Sequence, residues 1–407
     1  MSRFFDRAKS LRRKAPLVYQ FARDFFSPVA LWWYLRALIR FRLMGGNKGE
    51  ATIYVVLEKA VPDRSLYLLL RFLTAGGQKV GVLTAFSLLH HGRFDLYARM
   101  IYTLEDVIFW ARAPRETTDK ILLFDRDVPR YTARRWAKEI CLDYDISASR
   151  GSQRGHWYVM PYTMHPLSYA SGQDESLCRF RVTSPSMRLF FAGNMDARTY
   201  VNPRNHDLFS RFGILSRPSV IKAIAHGLGD DVLFVTDGDQ MERLLRADDA
   251  RTCVLVDRAT YAIRQDDWLA VLSRGDFFLC PPGVVQPLCH NAIEAMAVGT
   301  IPLVNYPEWF TPPLEDMKTC VVFTDEEELI QRAKYILALD RVQIEQMKRQ
   351  IIDYYEDHLS PRSFLRKIND LSHQRETLFL HTERDTYVRW VRQDSVLLGR
   401  AGDAPST

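Results

Sequence analysis

Cysteine is scarce in this chain, and what there is lies scattered. Six residues, Cys141, Cys178, Cys253, Cys280, Cys289 and Cys320, are spread over 407 positions with neither metal-ligand spacing nor a disulfide-like framework. That excludes a zinc module and a stapled secreted scaffold, and it predicts free thiols in a reducing compartment. Acidic residues are nearly missing from positions 1–45, where Arg3, Arg7, Lys9, Arg12, Arg13, Lys14, Arg23, Arg36, Arg40 and Arg42 face only Asp6 and Asp24. This surplus of eight (10 minus 2) exceeds the whole chain's net charge of +6, so the remainder is close to neutral and charge gives no case for a nucleic-acid binder. A long apolar run is missing from the same segment. Its longest uncharged stretch, Phe25 to Leu35, falls far short of the ~20 residues a membrane-spanning helix needs. Leu31-Trp-Trp-Tyr-Leu-Arg is also a poor cleavage region for a signal peptide.

What is present there is a mixture of positive charge and large rings. Phe4, Phe5, Tyr19, Phe21, Phe25, Phe26, Trp32, Trp33 and Tyr34 interleave with the basic residues. Basic and aromatic residues at helical spacing suit a segment lying in an anionic membrane surface, with tryptophans at headgroup depth. The expectation is a basic amphipathic helical extension over residues 1–50, holding a cytoplasmic protein peripherally on the membrane's cytoplasmic face. The alternative is that these helices pack on the protein's own core or on a partner.

The rest of the chain is 47% hydrophobic and long enough for two core-forming domains. Ile53-Tyr-Val-Val-Leu reads as a buried strand, 65–74 as a helix closed by Gly76-Gly77, and Val80 to Phe86 as a second strand, which together make a βαβ unit. Strands at 107–110 and 121–124, a helix from Thr132 to Leu142 and a last strand at 158–160 extend the series into a parallel sheet covered by helices. The first domain is set at 51–170, with its boundary between Pro166 and Met187. In the second, 187–358, strands are expected at 188–194, 232–235 and 253–256, and helices at 219–225 and 266–272. An acid-led helix start follows at Asp325, and helical periodicity runs from Arg341 to His358 and on through Leu378.

The most informative stretch is 275–310. Phe277 to Cys280 stops at Pro281-Pro282-Gly283, a helix is expected from Pro287 to Val298 ending at Gly299, and Ile301 to Val304 returns as a buried strand. Two parallel strands joined by a helix put the intervening loop at the carboxyl edge of a sheet, where α/β proteins bind ligands. Glu294 falls inside this helix among apolar neighbours, and an unpaired buried carboxylate is costly. Two vicinal ribose hydroxyls would suit it, while a Glu favoured by the helix dipole is the plainer account.

Gln286, followed after seven residues by Glu294-Ala-Met-Ala-Val-Gly-Thr-Ile-Pro-Leu-Val, resembles the donor-binding signature of GT-B glycosyltransferases, most closely the exostosin-like branch. The resemblance covers roughly residues 156–325 and includes the Pro161-Tyr162 after the strand at 158–160. Many retaining relatives carry Glu where this chain has Gln286, which can hydrogen-bond a sugar hydroxyl or phosphate but cannot act as acid or base. The resemblance implies two doubly wound Rossmann-like α/β domains facing a cleft, the second binding the nucleotide-sugar and the first the acceptor. It also places a C-terminal helix, 359–400, back on the first domain.

On the donor side the candidates are Glu294, Gln286, Gly283, His290, Gly193 and Asn194, with Arg217 at a helix start where it could clamp a diphosphate in place of a divalent ion. Arg198 and Arg204 are further candidates. A solvated loop arginine is the alternative for Arg217. No metal and no cofactor beyond the nucleotide-sugar co-substrate is expected, because Asp125-Arg126-Asp127 lies in the acceptor half. There a general base is sought in His91 or His90 with Asp95 to orient it, then Asp125 or Glu58. The expected activity is transfer of a sugar to a glycan or lipid-linked acceptor in surface polysaccharide or glycoconjugate synthesis. The alternatives are a nucleotide-sugar epimerase of the same fold or a non-catalytic subunit of a polysaccharide synthase.

Overall fold

The computed structural model describes residues 28, 32, 35, 39, 50–57, 63–83, 96–109, 111–144, 156–200, 213–247, 252–284 and 286–381. Among these the strands are, in chain order, β1 (Ile53–Val56), β2 (Val80–Val82), β3 (Val107–Ile108), β4 (Ile121–Phe124), β5 (Lys138–Asp143), β6 (Trp157–Val159), β7 (Met187–Gly193), β8 (Val232–Val235), β9 (Cys253–Asp257), β10 (Gly275–Leu279), β11 (Ile301–Val304), β12 (Val321–Val322) and β13 (Arg375–Phe379). They form a seven-stranded sheet, β3-β2-β1-β4-β5-β13-β6, and a six-stranded sheet, β12-β11-β10-β7-β9-β8. The class is α/β with two parallel sheets, as the sequence alternation predicts. The chain divides into two units, Met1–Leu142 with Leu371–Glu376, and Asp143–Asp370 with Thr377–Thr407.

In the first unit Tyr54, Val56, Leu122, Phe124 and Trp136 share one core cluster. The tilted rings of Tyr54 and Trp136 lie 5.7 Å apart. The helix expected at 132–142 is not formed. A short helix, Pro129–Thr132, is followed by β5, in which Ile140 and Leu142 are buried while Glu139 and Cys141 are partly exposed. Alternation of period two won over helical spacing there, and the Trp136 indole, donating to the Tyr131 carbonyl at 2.9 Å, fixes the turn that separates the two elements.

The helical periodicity read through Leu378 also stops early. The helix Pro361–Asp370 ends, and Arg375 to Phe379 turn into β13, four of whose five residues are buried. β13 stands between β5 and β6 in the first sheet, a pairing of chain segments some 230 residues apart that no local pattern announces.

The second sheet is parallel throughout. Its central strands read as continuous apolar runs because both faces are covered, and Phe190, Phe191, Phe277 and Phe278 are fully buried. Chain order reverses at β7. From there the chain goes by way of the helix Arg217–Leu228 to β8 and β9 on one side, then returns to β10 and β11 on the other. The carboxyl ends of β7 and β10 therefore make a topological switch point, the place where doubly wound sheets bind ligands. Among the described residues no helix is long and apolar enough to cross a membrane.

Candidate functional site

The helix after β10 begins at His290, three residues later than Pro287, and runs to Val298. Pro287 belongs instead to the loop, where its carbonyl accepts from the Gly283 N–H at 3.1 Å. That loop is too tight for a side chain at position 283: a Cβ there would lie 2.6 Å from the Gln286 carbonyl oxygen. Gly299 ends the helix in the left-handed region, at φ 84°. Every residue from Ala292 to Val298 is buried, so the helix has no solvated face.

Glu294 is 1% exposed within it, and both its oxygens accept from protein donors. Oε1 accepts from the backbone N–H of His165 at 3.0 Å and from Ser168 Oγ at 3.0 Å, and Oε2 accepts from the Trp268 indole at 2.6 Å. A carboxylate offers about four acceptor positions, so three are taken. The oxygens expected to make a bidentate ribose contact meet protein donors here, and the carboxylate has specific partners besides any helix dipole. The carboxylate is a hub that holds the helix Pro166–Ala170 and the helix Trp268–Leu272 to its own. His290 stands in the first turn of that helix, its ring T-shaped to His165 at 4.9 Å.

Gln286 is the opposite case. It is 2% exposed, and among the described residues neither its amide nitrogen nor its amide oxygen has a hydrogen-bond partner. Asn305, immediately after β11 and 8% exposed, likewise has both amide atoms unpartnered. Burying an amide without a partner costs roughly 1–3 kcal/mol. Two such groups follow neighbouring strands, β10 and β11, at the carboxyl edge of one sheet.

Arg217 sits at the switch point itself. It is 8% exposed, so the expectation of a solvated loop residue fails. Nε donates to the Pro282 carbonyl at 3.2 Å and Nη2 to that of Pro281 at 3.5 Å, while the guanidinium lies over the Tyr200 ring at 4.5 Å. Among the described residues no carboxylate pairs with it. Its charge is nonetheless felt: burial pushes the Tyr200 hydroxyl and the Cys289 thiol up, and Arg217 opposes both shifts. A Cβ on Gly193, the last residue of β7, would press on Phe191 Cζ at 3.1 Å and lie at ordinary contact distance, 3.5 Å, from Arg217 Nη1. Asn194 is used locally, donating to Thr199 Oγ1 at 3.1 Å and accepting from the Asp196 N–H at 2.9 Å.

The structure thus brings Gly193, Arg217, Gly283, Gln286 and His290 to one sheet edge, with Glu294 bonded beneath. His90, His91 and Asp95 lie outside the described residues, as do Glu58, Arg204 and most of positions 1–49. Arg198 is exposed and pairs with Asp196 at 3.0 Å. Asp125 is 5% exposed just after β4. Among the described residues no group of His, Cys, Asp or Glu is arranged to hold a metal ion. Sequence reasoning missed Asn305, although an Asn placed right after a buried strand was a visible signal, and it missed Trp268 and Ser168, which only the fold brings to Glu294.

No protein-family model matches this chain, and no curated protein does. Among solved structures it is similar to HepE of Anabaena in complex with UDP, at 11% identity over 79% of this chain and 99% of that one, with a TM-score of 0.40. It is also similar to a glycosyltransferase of Rickettsia africae, at 9% identity over 79% and 98% with a TM-score of 0.40. A protein of Listeria monocytogenes assigned as a UDP-N-acetylglucosamine 2-epimerase matches at 10% identity over 80% and 99%, with a TM-score of 0.32. Likenesses this distant carry no argument about chemistry, which rests on the sheet edge itself.

Proposed function

We propose that this chain is a GT-B glycosyltransferase of the exostosin-like kind, moving a sugar from a nucleotide-sugar to a glycan or lipid-linked acceptor. The observation that carries the reading is Gln286, an amide 98% buried with both polar atoms unpartnered beside the switch point. A buried amide of this kind is matched by a ligand that supplies both a donor and an acceptor, as sugar hydroxyls do. Asn305 adds a second such group. Arg217, buried and with no carboxylate paired to it among the described residues, supplies positive charge where a diphosphate would lie, so the transfer needs no divalent ion and no cofactor beyond the co-substrate.

The general base is assigned to the acceptor side, to His91 or His90 with Asp95. Attachment to the cytoplasmic face of a membrane is assigned to residues 1–45. Support for it comes from Trp32, Leu35 and Ile39, which are 54%, 43% and 44% exposed at the spacing of one helical face. The experiment is a thermal-shift panel of nucleoside diphosphates and their sugars, followed by product analysis with and without glycan acceptors. Stabilisation by one nucleotide and acceptor-dependent sugar transfer support the reading. Epimerisation of the donor without acceptor, or binding without turnover, would replace it by one of the two alternatives.

A further inference from the structure

The second unit contains a cavity of about 630 Å³ that has no part in the donor reading. It lies at the opposite edge of the sheet. Asp276, which anchors the cavity's cations, is the second residue of β10, and Cys280 at the switch-point loop follows the strand four positions later, a rise of roughly 13 Å. The volume falls in the range of small-molecule sites.

Its walls are cationic. Arg181, Arg188, Arg341, Lys348 and Arg349 line it, with Glu345 as the one carboxylate in the lining. Behind them Asp276, 0% exposed, holds three of these cations: Arg341 Nη1 at 2.7 and 2.8 Å, Lys348 Nζ at 3.1 Å and Arg188 Nε at 3.6 Å. Arg341 also pairs with Glu345, and Arg181 with Glu356 at 2.6 Å. Among the described residues the five lining cations pair with three carboxylates, Asp276, Glu345 and Glu356, so positive charge is in excess around the cavity. Arg349, exposed on the rim, makes no ion pair among the described residues. The crowding is felt at Lys348, whose ammonium burial pushes below its ordinary range; Asp276 opposes the shift and Arg341 adds to it.

Such an arrangement is poor as a purely structural device, because one buried carboxylate does not need three cations and the surplus repels itself. We propose that this cavity binds a small multivalent oxyanion, a phosphorylated or polycarboxylate molecule carrying at least two negative charges. Arg349 and Lys348 would contact it, and Asp276 would hold Arg341 and Arg188 in place. Val298 and Gly299, the end of the helix that starts at the switch point, form part of the wall.

The test is isothermal titration of the full chain with inorganic pyrophosphate at fixed ionic strength. The wild type is compared with Arg349→Glu and Ser184→Glu, both at exposed positions of the lining, and with Lys334→Glu, an exposed position outside the lining that makes the same charge change as Arg349→Glu. The expected result is at least a tenfold loss of pyrophosphate affinity in each of the two lining variants and an unchanged affinity in Lys334→Glu. Two negative variants guard against one simply failing to fold. Unaltered titration in both lining variants, which would place the anion at Arg217, an equal loss in Lys334→Glu, or equal heat from chloride at matched ionic strength would overturn the proposal.

Discussion

The indole N–H of Trp268 donates to Oε2 of Glu294 at 2.6 Å, inside a core where both residues are at least nine-tenths buried. With His165 and Ser168 on the other oxygen, three donors converge on one carboxylate. Glu294→Gln keeps the shape but presents an amino group to at least one of those donors. A charge-assisted bond lost plus a donor left unsatisfied should cost about 2–4 kcal/mol of stability in urea unfolding, with Trp268→Phe costing less. Wild-type stability in Glu294→Gln would show that the carboxylate is there for a ligand and not for the fold.

Arg217 offers a fork, not a point charge, to whatever lies over the ends of β7 and β10. Arg217→Lys keeps the charge and loses the fork, so nucleotide-sugar affinity should fall at least tenfold, which is about 1.4 kcal/mol. Titration in the presence of a chelator should give the same wild-type affinity as titration with added magnesium. A strict requirement for the metal would remove Arg217 from its assigned role.

Much of this was legible in the sequence because it was local. The apolar runs at 121–124, 232–235 and 301–304 coincide with β4, β8 and β11 to the residue; in β4 and β11 burial on both faces leaves no periodicity to misread, while β8 is a half-exposed edge strand marked by its short apolar run alone. The loop of Pro281, Pro282 and Gly283 announced itself through residues that cannot continue a strand. β5 was not legible, because Trp136 and Ile140 stand four apart, a helical spacing, while Ile140 and Leu142 alternate as in a strand, and tertiary pairing decided. Which of Glu294 and Gln286 meets protein donors was not legible for a similar reason. Burial of both follows from their neighbours, but which of them meets protein donors depends on Ser168 and His165, some 126 to 129 residues away.

All six cysteines are free, and only Cys178 is exposed. Burial pushes the Cys253 thiol up to about 12 and holds Cys280 and Cys289 above the ordinary range, so none of these three supplies thiolate at neutral pH. Maleimide at pH 7.5 should modify Cys178 first and half-buried Cys141 more slowly, with the remaining four reacting only after denaturation. Peptide mapping by mass spectrometry checks this. Fast labelling of Cys280 or Cys289 would mean that the switch-point loop opens in the native state.

Burial holds the His381 imidazole down to about 4, with its ring T-shaped to Tyr162 at 5.6 Å. In the unfolded chain His381 takes up a proton near its ordinary 6.5, while in the folded chain it resists until about 4. Stability from this residue is therefore intact above pH 6.5, falls as pH drops from 6.5 to 4, and is level below that. The loss approaches ~1.4 kcal/mol per pH unit across the window. Urea unfolding of the wild type against His381→Phe from pH 7 to 4 should show the variant losing less. Parallel pH profiles would contradict the assignment.

The most direct test of a ligand-matched Gln286 is Gln286→Met, which keeps the volume and removes both orphaned polar atoms. Tm is measured alone and with a saturating nucleoside diphosphate or nucleotide-sugar. A ligand at about 100 times its dissociation constant stabilises by ~2.7 kcal/mol. The variant alone should be as stable as the wild type or more so, by up to roughly 1–3 kcal/mol of relieved burial cost, and the nucleotide-sugar shift seen in the wild type should be lost or sharply reduced. A variant that is destabilised when unliganded yet keeps the full nucleotide-sugar shift would contradict the account.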